Sequence, residues 1–379
     1  KRSMITMTQA GKLNYHFDQV GSYLRPENLK IAREQYANGD ISKEDLLTVQ
    51  HAEIKKLVAQ QVAAGLKAVT DGEFNRSWWH LDFLGNLGGF EFYDQVDSYK
   101  FHGEKTRSTN IRLNGKVHAN LKHPFFEDFD YLKRIVPDGI EVKQTIPSPS
   151  LIINRDQRSD AWAQYYDNWS DFLDDLAQAY HDTLQQFYDL GARYIQLDDT
   201  TWAYLIAQLN AYRDDPVGRA PFEQIAADDV YVINKAIAGL PEDLKLSTHI
   251  CRGNFKSTYL FEGGYQPVAQ YLGQLNYDAF FLEYDNDRSG DFEPLKAIYN
   301  NRPNVEIVLG LLTSKSADLE SSQDVIARID EAAAIIPRSQ LALSTQCGFS
   351  STEEGNILTI ADQWRKLALV KSIADQALG

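Results

Sequence analysis

Cys251 and Cys347 are the only thiols in the 379-residue chain. The first belongs to a His249-Ile-Cys251 triplet, and Glu283 falls between the two cysteines in sequence. On an extended segment, residues i and i+2 point to the same side, so His249 and Cys251 can approach one ion. Glu283 and Cys347, coming from neighbouring strands, can complete a tetrahedral set. One imidazole, two thiolates and one carboxylate suit Zn²⁺. A core histidine beside a buried cysteine has the same local pattern. A structural zinc would use the same ligand types, but such sites usually draw on closely spaced pairs, whereas these ligands span about a hundred residues.

The elements that must hold these groups are eight short apolar runs: Tyr15–Val20, Ala68–Asp71, Ile140–Thr145, Tyr194–Leu197, Leu244–Thr248, Ala279–Leu282, Val305–Leu309 and Leu341–Ser344. Most are four to six residues long and continuous, as expected for parallel strands buried on both faces. Amphipathic stretches separate them, including Ile41–Ala64 with Gly65 as its stop, Ala161–Leu190 before Gly191, Asp324–Ile336 before Pro337, and Ile360–Ala377. Eight strand–helix alternations predict an α/β fold, a single (β/α)₈ TIM barrel filling residues 1–379 as one catalytic domain. Gly85–Gly139 breaks the rhythm. Its alternating residues around Asn114-Gly115 predict a hairpin with a type I′ turn, hence a β-rich insertion (85–139) between strands two and three. In such a barrel the catalytic groups sit at the carboxyl ends of the strands, where His249, Cys251, Glu283 and Cys347 all fall.

Composition narrows the partners. The chain has 38 Lys and Arg against 53 Asp and Glu, a formal charge of −15, which disfavours a nucleic-acid partner because phosphate backbones need cationic surface. No run approaches the ~20 apolar residues that cross a bilayer, and the first residues lack the apolar core of a secretory signal. Two cysteines are too few for a disulfide scaffold. A cytoplasmic enzyme acting on small molecules is expected, with self-association left open.

The rim residues resemble the catalytic domain of cobalamin-independent methionine synthase. The resemblance rests on Val20-Gly-Ser22, Asp71-Gly-Glu73 with Arg76, Gln196-Leu-Asp198-Asp199, His249-Ile-Cys251, Glu283 and Gln346-Cys347-Gly348, and it runs from His16 to the last helix. It implies a barrel that uses zinc, held by His249, Cys251, Glu283 and Cys347, to activate the thiol of homocysteine toward the methyl group of a 5-methyltetrahydrofolate. The activity would be that of a 5-methyltetrahydropteroyltriglutamate–homocysteine S-methyltransferase. It also implies homocysteine contacts at Ser22, Glu73 and Asp198. The chain departs from the family's two-barrel enzymes in having one barrel. It carries Lys315 where the family has a proton-donating histidine, Asp198-Asp199-Thr200 in place of Asp-Glu-Pro, and Tyr204 near a folate-contacting glutamate.

The chemistry assigns further roles. A thiol with a pKa of ~8.5 needs a metal or base to become the nucleophile. Glu73 and Asp198 can hold the acceptor's ammonium, and Ser22 its carboxylate. A tertiary amine is a poor leaving group and needs a general acid, for which Lys315 is the candidate. Trp78, Trp79 and Trp202 could stack on a pterin-like ring, Gln144 or Ser148 could touch a ligand, and His102, His118 and His123 are by default solvated loop residues. Each has a plainer alternative: Glu73 paired with Arg76, the two aspartates capping the next helix, Lys315 a solvated charge, the tryptophans core. Two other functions stay open, a zinc-dependent alkyl transfer with a different donor or thiol and a non-catalytic zinc barrel.

Overall fold

A computed structural model describes residues 15–94, 100–101, 104–105, 109–254 and 260–379. The strands in chain order are β1 (Ala68–Val69), β2 (Gly88–Asp94), β3 (Lys100–Phe101), β4 (Glu104–Lys105), β5 (Thr109–His118), β6 (Glu141–Pro147), β7 (Tyr194–Asp199), β8 (Lys245–Ile250), β9 (Ala279–Glu283), β10 (Glu306–Leu312) and β11 (Leu341–Thr345). Seven of them form one curled, wholly parallel sheet in the order β1-β6-β7-β8-β9-β10-β11. From β6 on, successive strands are sequence neighbours joined through helices, the pattern that βαβ crossovers produce, and only between β1 and β6 do other strands, β2–β5, intervene.

The first apolar run, Tyr15–Val20, forms a bridge rather than a full strand. Phe17 pairs in parallel with Leu343 of β11, flanked by Asp18 N to Leu343 O (3.2 Å) and Leu343 N to His16 O (2.9 Å). Beyond Val20 the chain leans the other way, toward β1, through Tyr23 N to Gly72 O (3.1 Å) and Thr70 Oγ1 to Gly21 O (2.5 Å). Among the described residues this short segment thus bonds to both edges of the sheet.

The strands are buried on both faces, yet their two faces differ chemically. Along β7 and β8, Ile195, Leu197, Leu246 and Ile250 join the main core with helix residues such as Leu176, Tyr180 and Val232. The alternate residues, Tyr194, Gln196 and Asp198 on β7 and Lys245, Ser247 and His249 on β8, share the opposite face. That face carries only a small apolar plug of Val20, Phe281, Val308 and Ala342. The runs therefore alternate more than continuous apolarity predicts, because the inner face is given to polar groups.

The helical expectations hold with shifted ends. Helices span Lys43–Ala63, Ser322–Ala333 and Ile360–Ala377, the first opened by a reciprocal Ser42/Asp45 cap. Ala161–Leu190 splits into a 3₁₀ turn, Ala161–Gln164, and a helix, Trp169–Asp189, capped by Asn168.

The insertion is β-rich but built differently from the expected hairpin. β2 and β5 pair antiparallel, and Asn114-Gly115 lies inside β5, not at a turn. Residues 114–117 stand against the single Gly89, between the pairs Phe90–Leu113 and Gly88–His118. They form a bulge. Gly89 fits there because its φ is +91° and a Cβ would lie 2.5 Å from Lys116 O. Tyr166 from outside the insertion accepts from Val117 N at 2.6 Å, so distant pairing outweighs the local turn preference of Asn-Gly.

Candidate active site at the carboxyl ends of the strands

Parallel register sets the site. Asp198 on β7 is the direct partner of His249 on β8, so the two side chains share a face, and His249 Nδ1 lies 3.4 Å from Asp198 Oδ1. On its other side, His249 Nε2 is 3.0 Å from Gln346 O and 3.7 Å from Glu283 Oε1. Cys251 Sγ and Cys347 Sγ are 3.9 Å apart. The ligand atoms of His249, Cys251, Glu283 and Cys347 all lie within 4.8 Å of one another, and all four residues are buried. Glu283 Oε1 accepts from Arg252 N (3.0 Å) and Asn254 Nδ2 (2.6 Å). Glu283 Oε2 is buried without a hydrogen bond, 3.5 Å from Arg288 Nη2.

The electrostatics describe a site short of positive charge. Burial alone would lower the His249 pKa, but the Asp198 hydrogen bond and the charges of Cys251 and Glu283 outweigh it and hold it up at about 9. The contact between the two sulfurs, 3.9 Å apart, draws the Cys251 pKa down, while the same contact and burial push Cys347 well up. A dication would bind the two sulfurs, an imidazole nitrogen and a carboxylate oxygen. The donor set and the unbonded Glu283 oxygen fit such an ion.

The expected amino-acid contacts gather beside this cluster. Ser22 is buried, with its Oγ receiving Ser350 N at 3.3 Å. Gly348 lets the Cys347 loop pass over it, since a Cβ there would fall 2.0 Å from Ser22 Oγ. Asp198 Oδ1 accepts from Gln196 Nε2 at 2.8 Å. Glu73 does pair with Arg76 (3.3 Å) and receives Thr145 Oγ1 (3.2 Å) through the same oxygen, but its Oε2 is buried and unbonded. Burial is the main cause that lifts its pKa to about 7, against the pull of Arg76 and with the push of Asp198. Glu73 also has a left-handed backbone, φ +62°, a conformation that costs a side-chain-bearing residue about 1–3 kcal/mol and tends to mark functional sites.

Other expected residues divide. Asp199 is fully buried and accepts from Ser150 Oγ (2.7 Å) and from Thr201 N (2.8 Å) at the start of the helix Thr201–Ala211. Ser148 shares this patch through Ser150 Oγ at 3.0 Å, and Gln144 Nε2 donates to Thr145 O at 2.9 Å. Lys315 is no solvated charge. Its Nζ donates to buried Asp285 at 2.9 Å, and it shares a narrow space with Cys347 and Gly348.

A cavity of about 390 Å³ reaches Cys251 and Asn254 and is walled by Trp78, Trp79, Tyr204 and Phe261. Trp202 does not belong to that wall. It is completely buried in the core with its ring tilted against Tyr271, because its position on the helix after β7 turns it inward. His118 is exposed, whereas His123 is buried rather than solvated: its Nε2 donates to Phe83 O at 2.9 Å and its Nδ1 caps the helix Pro124–Ile135. His102 lies outside the described residues.

Sequence reasoning passed over Asn254 and His80. Asn254 lies three residues past Cys251, close enough to be suspected. His80 lines the cavity with a buried Nδ1 that has no partner, and its pKa is driven well down by burial and then by Arg155; only its place after Trp78-Trp79 hinted at this.

A parallel α/β sheet with a cluster at its carboxyl rim that could hold a metal ion, beside an aromatic cavity, is the arrangement of an enzyme site for small molecules. The sequence profile of the family described as cobalamin-independent synthase, catalytic domain, matches residues 18–368, and the chain belongs to that family of cobalamin-independent methionine synthases. It is 44% identical to the uncharacterized protein YxjG of Bacillus subtilis, over 97% of this chain and 96% of the relative. It is 24% identical to a methionine synthase of Saccharolobus islandicus over 87% and 86%. A Listeria monocytogenes protein described as a candidate vitamin-B12 independent methionine synthase superposes with a TM-score of 0.75 at 39% identity, covering 96% of this chain and 98% of its own. Among the described residues no helix is long and apolar enough to cross a membrane.

Proposed function

We propose that the chain is a zinc-dependent methyltransferase that moves a methyl group from a 5-methyltetrahydrofolate-type donor to the thiol of homocysteine, forming methionine in the cytoplasm. The observation that carries this reading is the convergence of His249, Cys251, Glu283 and Cys347 within 4.8 Å, next to a carboxylate, Glu73, with a buried unbonded oxygen. In this reading the chain is one catalytic domain, its sheet closed by Tyr15–Val20 into a (β/α)₈ barrel and elaborated by residues 85–139.

Zinc bound by the four residues would supply a Lewis acid that keeps the substrate thiol as thiolate. The rest falls to the protein. Glu73 and Asp198 hold the substrate ammonium, and Ser22 with nearby backbone N–H groups holds its carboxylate. Asp198 also orients His249 through Nδ1, leaving Nε2 for the ion. The aromatic cavity at Cys251 excludes water and receives the donor ring on Trp78 and Trp79. Lys315, held in place by its hydrogen bond to Asp285, delivers a proton to the donor nitrogen as the C–N bond breaks, so that the amine leaves neutral.

The test is methyl transfer to L-homocysteine by the zinc-loaded protein, with methyltetrahydrofolates of different tail lengths and with an already cationic methyl donor. Methionine formed from a folate supports the full reading. Turnover only with the cationic donor replaces the folate and leaves the thiol half standing. That second reading has its own support: Lys315 does not line the large cavity.

A further inference from the structure

The left-handed backbone of Glu73 is restrained by several hydrogen bonds, from its own N–H to Asp71 Oδ1 (2.8 Å) and to its O from Arg76 N (3.0 Å), and a buried guanidinium adds to them. Arg25 is 2% exposed and makes five hydrogen bonds. Its Nη2 donates to Glu73 O (2.8 Å) and Arg76 O (3.0 Å), both on the turn that aims the Glu73 carboxylate. Its Nη1 donates to Ser350 O (3.0 Å), Ser350 Oγ (3.1 Å) and Thr352 O (3.0 Å), on the loop that follows Cys347. Ser350 in turn donates its N–H to Ser22 Oγ. One planar fork thus ties the turn carrying the amino-acid contact to the loop carrying a metal-ligand sulfur. A lysine has three donors on a single nitrogen and cannot span both sets.

Resting on the assignment of Glu73 to the substrate ammonium and Cys347 to the metal, we infer that Arg25 is a positioning residue. It fixes the distance between the ammonium site and the metal, and thereby selects an amino-acid thiol of homocysteine's length over a plain alkyl thiol. Arg25 touches neither substrate nor metal. Its effect falls on the ligand that must reach both ends at once. A thiol that binds by sulfur alone does not sense it.

The experiment is a thiol titration of the cobalt(II)-substituted protein, followed by the thiolate-to-metal absorption band, with L-homocysteine and with propane-1-thiol. In Arg25→Lys the homocysteine affinity should fall about 10- to 100-fold, the loss expected when charge-assisted hydrogen bonds are withdrawn, while propane-1-thiol binding and metal stoichiometry stay at the parent's values. Adding guanidinium ion to Arg25→Ala should restore part of the homocysteine affinity and leave propane-1-thiol alone. Equal losses for both thiols would make Arg25 an ordinary structural residue and overturn the inference, as would no loss for either. A parent that binds the two thiols equally would instead refute the ammonium role of Glu73 on which the inference rests. Should Arg25→Lys fail to fold, Ser350→Ala removes one acceptor of the five and should still cut homocysteine affinity selectively, by about 2- to 10-fold; no selective loss there counts against the inference.

Discussion

Two sets of buried charges occupy the same sheet and are handled in opposite ways. Toward the amino ends of the strands, Lys143 meets Asp18 at 3.2 Å and Lys245 meets Glu306 at 2.6 Å, each side chain at most 4% exposed. Tyr194 donates to the second oxygen of Asp18 at 2.7 Å. At the carboxyl ends, Glu73 and Glu283 each keep one buried oxygen without a hydrogen bond, and two thiols lie 3.9 Å apart. A buried charge is tolerated when paired and costs stability when it is not. The lower charges are therefore paired through both hydrogen bonds and ion pairs, whereas in the upper layer Arg76 at 3.3 Å from Glu73 and Arg288 at 3.5 Å from Glu283 leave one carboxylate oxygen of each without a hydrogen bond. Polarity alone does not distinguish the two layers; the unbonded carboxylate oxygens do.

Substitutions can break this contrast at either level. The largest effect should come from Cys251→Ser, which removes one of only two sulfur ligands. Elemental analysis should find most of the zinc gone and methyl transfer absent, while circular dichroism still reports a folded chain. Next is Lys315→Ala, which should lower kcat about 10²–10⁴-fold with a folate donor, the usual worth of a general acid, and much less with a cationic donor. Parent-like turnover with the folate would remove Lys315 from the mechanism.

In the lower layer, Lys245→Met should leave the metal and KM untouched but cost about 3–5 kcal/mol in denaturant unfolding, because Glu306 would stay buried without its partner. The double change with Glu306→Leu should recover much of that loss. An unchanged unfolding midpoint in Lys245→Met would mean that the lower pairs do not carry the stability assigned to them.

The smallest effect should come from Glu73→Gln, a loss of roughly 1.5–3 kcal/mol in homocysteine binding. It has a pH signature. Because burial raises the Glu73 pKa from 4.5 to about 7, the folded substrate-free protein binds more protons than the unfolded chain between those values. This group therefore makes stability fall as pH rises through that window. Glu73→Gln should flatten that part of the stability profile. A variant whose profile matches the parent's would show that the carboxyl is not held in the raised state.

How much of this was legible in the sequence follows from the physics of each part. The grouping of His249, Cys251, Glu283 and Cys347 was, because scarce residue types at strand ends are placed by the parallel register itself: Asp198 faces His249 whatever the loops do. Of the eight strands that the spacing predicted, seven form the parallel sheet and the first, Tyr15–Val20, forms only a bridge; the sheet's polar inner face was legible only in part. The cavity walls were less so, since they stand on loops and helix starts where one residue more turns a side chain through about 100°; hence Trp78 lines the cavity and Trp202 the core. The Asn114-Gly115 turn failed because long-range pairing with Gly88–Phe90 and the Tyr166 hydroxyl outweighs a dipeptide preference. Arg25 gave no periodic signal: a buried arginine looks in sequence like any charge.

The central claim is a zinc site with room for the substrate's sulfur, and X-ray absorption of the zinc-loaded protein tests it most directly. Without substrate the ion should be surrounded by two sulfurs at ~2.3 Å and lighter N/O ligands at ~2.0–2.2 Å. L-homocysteine should add a third sulfur at the same distance and shift the edge. A spectrum that does not respond to homocysteine would describe a closed structural zinc, and would contradict the account.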